Sequence, residues 1–304
     1  MAVDYTLLEE RFGDRLRRDE PLARHTAARL GGPADALVVA HNLADLIFAA
    51  RFAWERGVPH RILGGGSNVL MADSGFRGLV IINRAAALTI GADGVVRAES
   101  GASLSTVARR CMARGLRGLE WAVSVPGTIG GAAINNAGAY GGDMTACVRE
   151  VEVYRAAGVA RYAVADMAYA YRTSALKGMQ EPYLVTTVTL QLAPGADPAA
   201  LKAQAAEYIA HRKRTQPPGA SLGSIFKNPP GDYAGRLIEA AGLKGARRGQ
   251  VQISEKHANF LVNLGEGGTA TDYLALIRLA QETVAARFGV RLELEIELLG
   301  DFST

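Results

Sequence analysis

Apolar residues at Leu43, Leu46, Ile47, Ala50, Ala53 and Trp54 recur at the spacing of one helix face, and Gly57 is the glycine that commonly ends such a helix. The pattern predicts a helix over 43–56. After Pro59, Ile62-Leu63 reads as a short strand running into Gly64-Gly65-Gly66-Ser67-Asn68, and the apolar run 79–82 as a buried strand. Two hairpins follow from alternating segments around glycine turns: 88–90 with 95–98, and 151–154 with 161–164. Residues 103–114 read as a helix opened by Ser103 and closed by Gly115, and the β-branched run 183–190 as a strand. Pro194-Gly195-Ala196-Asp197-Pro198 has the composition of a linker. Beyond it come predicted helices over 199–212, 236–241 and 272–288, and strands over 259–263 and 292–298. This order predicts an α+β fold of three units, with breaks near 84 and 195 and no internal repeat.

The last predicted strand alternates strictly, so one face is apolar and the other carries Glu293, Glu295 and Glu297. Three carboxylates on one face repel one another. A solvated face is the ordinary reading; a face turned into a cleft would instead raise one of their pKa values and make it a proton donor.

Glycine clusters bear on ligands. A loop such as Gly64-Gly65-Gly66-Ser67-Asn68 lets backbone N–H groups approach phosphate oxygens, although such clusters also mark plain tight turns. It lacks the dinucleotide fingerprint, because Val69 stands at the sixth position, and no lysine follows a glycine as a P-loop requires. The second cluster, SVPGTIGGAAINNAGAYGGD over 124–143, is dense enough in glycine to argue against any regular helix or strand. Together the two loops predict the walls of a cleft for a ligand with a diphosphate at its middle, such as a dinucleotide.

Composition narrows the classes. The chain has 304 residues, 49% of them hydrophobic and 21% charged, as in an ordinary globular protein. No signal-peptide core or long apolar run is present, which predicts a cytoplasmic location. Cys111 and Cys147 sit in no metal or disulfide pattern and are expected to be free thiols, and the five scattered histidines predict no metal site. A net charge of +4 suits anionic small ligands, and the basic run His211–Arg214 reads as a solvated helix end, so nucleic acid is not expected as a partner.

The stretch Gly223-Ser224-Ile225-Phe226-Lys227-Asn228-Pro229 sets a hydroxyl before two bulky apolar residues. It has no second glycine at the spacing of a nucleophile elbow, which argues against a serine hydrolase. A turn or helix cap is the plain alternative for Ser224.

Six segments, in order along the chain, carry a resemblance: Arg29-Leu30-Gly31-Gly32-Pro33-Ala34-Asp35; Leu63 to Asn68; Pro126-Gly127-Thr128-Ile129-Gly130-Gly131 with Asn136 to Gly141; Tyr171-Arg172-Thr173-Ser174; the Ser224 stretch; and Ser254-Glu255-Lys256-His257-Ala258-Asn259-Phe260. The chain resembles the UDP-N-acetylenolpyruvoylglucosamine reductases, flavoenzymes of bacterial peptidoglycan synthesis, in the branch that lacks an extra tyrosine-bearing loop. The resemblance implies an FAD-binding fold of the vanillyl-alcohol-oxidase type in two units, 1–84 and 85–195, with 292–304 returning to the first. It also implies a substrate domain over 196–291, noncovalent FAD, NADPH as co-substrate and a UDP-sugar enolpyruvyl ether as substrate; the sequence itself gives no oligomeric state, and a monomer is the default expectation.

The implied cofactor residues are Leu63, Gly64, Gly65, Gly66, Ser67, Asn68, Ser124, Pro126, Gly127, Thr128, Gly130, Gly131, Asn136 and Gly138. Tyr140, Lys227, Asn228, Lys256 and His257 are implied at the substrate. By the same resemblance Ser224 donates a proton, Arg172 holds a carboxylate that gains charge, and Glu295 assists as an acid, with Leu294 where the family usually has proline. Two other classes remain: a flavin oxidase of the same fold with a tethered cofactor, and a nucleotide binder without activity. The loop 63–70 has no tethering histidine, and the three candidate catalytic residues are all present.

Overall fold

The computed structural model describes residues 3–302. The chain forms two compact units. The first takes in the chain up to Arg17, Leu37–Gly65 and Leu79–Arg212; the second takes in Arg18–Ala36, Gly66–Gly78 and the chain from Lys213 onward. Their limits fall inside strands Pro33–Ala40 and Phe76–Asn83, so each of these strands belongs partly to either unit.

In the first unit an antiparallel sheet runs in the order Gly158–Ala163, Val148–Arg155, Tyr183–Gln191, Val95–Glu99, Leu88–Ile90. Both predicted hairpins are its outer pairs, with Val151 opposite Tyr162 and Thr89 opposite Arg97. The alternation in Val148–Arg155 turns Val151 and Val153 into a core that also buries Val188, Leu190, Leu104 and Val107. Helix Leu104–Met112 starts where the Ser103 hydroxyl accepts the Thr106 N–H at 3.4 Å. Helix Leu43–Glu55 is capped in the same way by Asn42 and stops before Gly57, whose φ is +61°. His60–Leu63 then pairs in parallel with Phe76–Asn83, His60 opposite Leu79.

The glycine-dense segment departs from expectation, because Ile129–Asn135 is a regular helix. Tertiary packing outweighs propensity here. A Cβ on Gly130 would lie 2.7 Å from the Ser100 Cβ, so the missing side chain lets this helix lie close on the segment after strand Val95–Glu99.

In the second unit a sheet runs in the order Ala220–Ser224, Phe260–Asn263, Val251–Ile253, Arg247–Arg248. Helices Ala234–Ala240 and Ala270–Phe288 share a core with it that includes Leu222, Phe226, Ile238, Leu261, Tyr273 and Ile277. The chain end supplies a parallel strand, Glu297–Leu299, beside Val69–Met71. This corrects the long alternating strand expected over 292–298: only its last residues are regular, and the chain bends at Glu295 and Ile296. Glu293 and Glu297 are exposed while Glu295 is half-buried, so the three carboxylates do not form one uniform face.

Candidate active site

In the first unit the two glycine loops touch backbone to backbone. A Cβ on Gly65 would stand 3.1 Å from the Gly127 Cα, and one on Gly64 would stand 2.3 Å from the Thr128 Oγ1. The Gly64 carbonyl accepts from Arg84 at 3.1 Å, and Leu63 just before it is buried. Gly127 and Thr128 are held in turn by the turn before helix Leu104–Met112: Leu104 N–H donates to the Gly127 carbonyl, and Ile129 N–H to that of Ala102. Pro126 and Gly131 are exposed beside these anchors, and Gly131 has no neighbour nearer than 3.7 Å to where its Cβ would be. The Ser124 hydroxyl oxygen is buried and has no hydrogen-bond partner. A buried donor without a partner costs about 1–3 kcal/mol, so this hydroxyl fits an acceptor supplied by a ligand. Bare backbone and an unsatisfied hydroxyl are what a dinucleotide diphosphate requires, so the residues present fit FAD.

The end of helix Ile129–Asn135 is an anchor for the Tyr171-Arg172-Thr173-Ser174 segment. The buried Asn136, left-handed at φ +43°, donates to the Ala170 carbonyl at 3.0 Å and accepts from Thr145 N–H at 3.2 Å. Ser174 donates to the Ile134 carbonyl at 2.6 Å, and Lys177 to the Asn135 side chain at 2.8 Å. Arg172 sits at φ +58° in a tight turn where Ala170 and Thr173 exchange backbone bonds, and its guanidinium donates to the carbonyls of Gly138 at 3.1 Å and Asn136 at 3.4 Å. Cations at the carbonyl end of a helix are electrostatically favoured, which fixes this arginine against the glycine segment. Arg172 is therefore anchored rather than a loose surface cation. Tyr140 stacks on Tyr208 with centroids 4.5 Å apart, donates to the Tyr208 carbonyl, and meets His211 edge-on. Burial also lowers the pKa of the neighbouring Arg212.

In the second unit Gly66, at φ +59°, leaves no room for a side chain beside the His25 carbonyl, 2.1 Å from where a Cβ would be. Ser67 is half-buried, and Asn68 holds the bend of the terminal chain, donating to the Glu295 carbonyl at 3.3 Å and accepting from Glu297 N–H at 2.9 Å. Ser224 ends strand Ala220–Ser224, after a bulge at Gly223, whose φ is +78°. The Ile225 carbonyl accepts from Glu295 N–H at 2.8 Å, which brings Ser224 and Glu295 onto adjacent backbone. Lys227 lies 3.4 Å from the Glu293 carboxylate, and the exposed Asn228 accepts from Ala234 N–H at the start of helix Ala234–Ala240.

In the 254–260 segment the Ser254 hydroxyl accepts from Lys256 and His257 N–H, a local turn that fixes both. Lys256 reaches the Lys213 carbonyl at 2.5 Å. Burial lowers the His257 pKa, and its Nδ1 accepts from Asn259 N–H at 3.3 Å, which requires the neutral ring. Sequence reasoning assigned no role to Ser174, Lys177, Tyr208 or Asn259, although Ser174 and Asn259 stand in segments that carry the resemblance. The helical spacing of Tyr208 and His211 offered a signal for one of them; for Asn259 the segment was marked but its bonding role was not, since its partners lie far along the chain.

Both cysteines are buried and free, and burial pushes Cys111 up to about 11 and Cys147 up to about 12, so neither is a nucleophile near neutral pH. Among the described residues no cluster of His, Cys, Asp and Glu is arranged to hold a metal, and no helix is long and apolar enough to cross a membrane.

Comparison with known proteins agrees with this arrangement. Residues 34–161 match the model of the FAD binding domain, and residues 214–299 that of the UDP-N-acetylenolpyruvoylglucosamine reductase C-terminal domain. The chain is 47% identical over 291 residues to UDP-N-acetylenolpyruvoylglucosamine reductase 2 of Symbiobacterium thermophilum, covering 94% of this chain and 92% of the relative. It is 43% identical to the reductase of Rubrobacter xylanophilus, over 93% of this chain and 95% of the other. Among solved structures it is similar to UDP-N-acetylenolpyruvylglucosamine reductase from Thermus caldophilus, with TM-score 0.80 and 35% identity, covering 94% of this chain and 99% of that one. The fold is accordingly the FAD-binding fold of the vanillyl-alcohol-oxidase type followed by an α+β domain. With both halves matched and nearly the whole length of each relative covered, the chain belongs to the UDP-N-acetylenolpyruvoylglucosamine reductase family.

Proposed function

We infer that this chain reduces UDP-N-acetylglucosamine enolpyruvate to UDP-N-acetylmuramate, using FAD and NADPH, in peptidoglycan precursor synthesis. The observation that carries the reading is the likeness to reductases of that name over 94% of the chain, spanning both matched halves. FAD, when bound, relays hydride from NADPH to the β carbon of the enolpyruvyl ether. The residues assigned to hold it are those of the two glycine loops, Leu63 to Asn68 and Ser124, Pro126, Gly127, Thr128, Gly130 and Gly131, with Asn136 and Gly138; the bare backbone and the unpartnered Ser124 hydroxyl support this.

Hydride addition leaves an electron pair on the α carbon, conjugated with the substrate carboxylate. Ser224 donates the proton that forms the α C–H bond, and the serine oxygen regains a proton from water. A serine hydroxyl is a weak acid, but a carbanion next to a carboxylate is a strong enough base to take its proton. Arg172 is assigned to the carboxylate, where a rigid guanidinium offsets growing charge, and its anchoring to two carbonyls supports that role. Glu295 is assigned as the acid assisting the carboxylate, supported by its backbone bond to Ile225 beside Ser224. Tyr140, Lys227, Asn228, Lys256 and His257 are assigned to the sugar nucleotide. Functionally the chain divides as 1–84 with 292–304, 85–195 and 196–291; the parallel pairing of Glu297–Leu299 with Val69–Met71 supports the return of the terminal strand. A cytoplasmic monomer that binds no nucleic acid completes the reading.

The test separates the two half-reactions by stopped flow. Ser224→Ala is expected to leave flavin reduction by NADPH unchanged and to slow reoxidation by the enolpyruvyl UDP-sugar by several orders of magnitude. Equal loss in both halves would exclude Ser224 as the proton donor.

A further inference from the structure

The order of the Ser224 stretch is set by a side chain that the mechanism has not used. The ladder between Ala220–Ser224 and Phe260–Asn263 pairs Ala220 with Asn263 and Ser221 with Val262, then slips to Ser224 with Phe260. Beyond Phe260 the second strand ends, yet residues 225–227 remain buried or half-buried and their backbone groups need partners. Asn259 supplies them. Its carboxamide oxygen accepts from Phe226 N–H at 2.9 Å, its amide nitrogen donates to the Phe226 carbonyl at 2.8 Å, and its own backbone carbonyl accepts from Ile225 N–H at 2.9 Å. One residue thus replaces a missing strand, and at 3% exposure it does so out of reach of water.

The other edge of the same segment is the terminal chain. Glu295 N–H donates to the Ile225 carbonyl at 2.8 Å, Lys227 N–H donates to the Glu293 carbonyl at 2.9 Å, and Phe226 bridges to Leu294. Residues 225–227 are therefore the middle row of a three-row ladder: Asn259 forms one side, 293–295 the other, and Ser224 is the residue entering it. Any shift of the middle row moves Ser224 through its peptide bond and Glu295 through its N–H. The Phe226 side chain, 1% exposed in the core, ties that row to the hydrophobic packing but does not fix its hydrogen-bonding edge.

We propose that Asn259 is a positioning residue for the protonation half of the reaction, its buried carboxamide setting where the Ser224 hydroxyl and the Glu295 carboxyl stand. The inference rests on the assignment of Ser224 as proton donor. A displacement of about 1 Å at a reacting group costs on the order of 100-fold in rate, and the loss is confined to the step that uses the group.

The chemistry of a carboxamide suggests the variant. In Asn259→Asp the ionised form presents an oxygen to the Phe226 carbonyl and repels it, whereas the protonated form has one O–H donor and one carbonyl acceptor and restores both bonds. Stopped-flow measurement of both half-reactions across pH, with the thermal midpoint at each pH, is the experiment. Flavin reduction by NADPH is expected to match the wild type, and reoxidation by the enolpyruvyl UDP-sugar to be slowed about 10- to 100-fold near neutral pH and regained on acidification. In a Ser224→Ala background, Asn259→Asp is expected to add a smaller loss than in the wild type, only the part that acts through Glu295. If Asn259→Asp does not fold, Asn259→Ser carries the same comparison at a single pH. Equal slowing of both half-reactions, an unchanged reoxidation rate, or a full additional loss in the Ser224→Ala background would overturn the role of Asn259. Failure of the underlying assignment looks different: Ser224→Ala alone would leave reoxidation unaffected.

Discussion

Gly64→Ala tests the contact between the two glycine loops. No left-handed φ is required at Gly64, so alanine brings no backbone strain and the effect is steric. The added Cβ would lie 2.3 Å from the Thr128 Oγ1, 2.7 Å from its Cγ2 and 3.1 Å from its Cβ. Ordinary contact between such atoms is about 3.5–4.0 Å, so one loop must withdraw from the other by roughly 1 Å. Overpacking of this kind costs about 1–3 kcal/mol. Borne entirely by the bound state, that is about a 5- to 150-fold rise in the dissociation constant for FAD. Titration of FAD into flavin-stripped protein measures it, and the thermal midpoint of the stripped protein gives any share already lost without the cofactor. Thr128→Ala removes the two nearest atoms, so Gly64→Ala is expected to cost much less in that background, and the double-mutant cycle isolates the contact. Gly178→Ala, where a Cβ would meet nothing within 4 Å, serves as the neutral control. Unchanged FAD affinity and midpoint in Gly64→Ala, or the same penalty in both backgrounds, would refute the reasoning.

Three further outcomes are expected. Asp73 accepts from Ala270 N–H at 2.7 Å and from Thr271 N–H and hydroxyl at 2.8 Å, capping the first turn of helix Ala270–Phe288; Asp73→Ala should lose about 0.5–2 kcal/mol in urea unfolding, and no loss would mean the cap is idle. His60 and His257 have pKa values lowered chiefly by burial, and the His60 Nε2 accepts from the Trp54 indole at 2.9 Å, so the folded state binds their protons less readily than the unfolded chain. Stability from both is present above about pH 6.5 and is lost as pH falls from there through their lower folded values; His60→Asn should flatten that slope, and an unaltered slope would count against the effect. Glu295→Gln should slow reoxidation of the reduced flavin by substrate. Glu293→Gln should not, since its exposed ion pair with Lys227 at 3.4 Å is worth about 0–1 kcal/mol; interchanged effects would mean the roles of the two glutamates are reversed.

Periodicity in the sequence located the hairpins, the capped helices and the class of fold, because each depends on residues within a few positions of one another. Ser103 as a helix cap and the alternation in Val148–Arg155 are of this kind. The six ordered segments likewise identified the family, since their residue types and spacing survive without any knowledge of contacts. Local patterns misled where a distant partner decided the outcome. Ile129–Asn135 is helical despite its glycines because Ser100 packs against Gly130, and the expected strand over 292–298 bends because Asn68 holds Glu295 and Glu297. The three carboxylates that alternation put on equal footing become distinct only through that bend, which leaves Glu295 half-buried and the others exposed. Asn259 is the clearest case: it stands in one of the six segments, yet no local pattern gives it a role, and its pairing with Phe226, across 33 positions, exists only once two strands have met and one of them has run out. Side-chain pattern is written along the chain, but the partner that satisfies a buried backbone group is chosen when the chain folds back on itself.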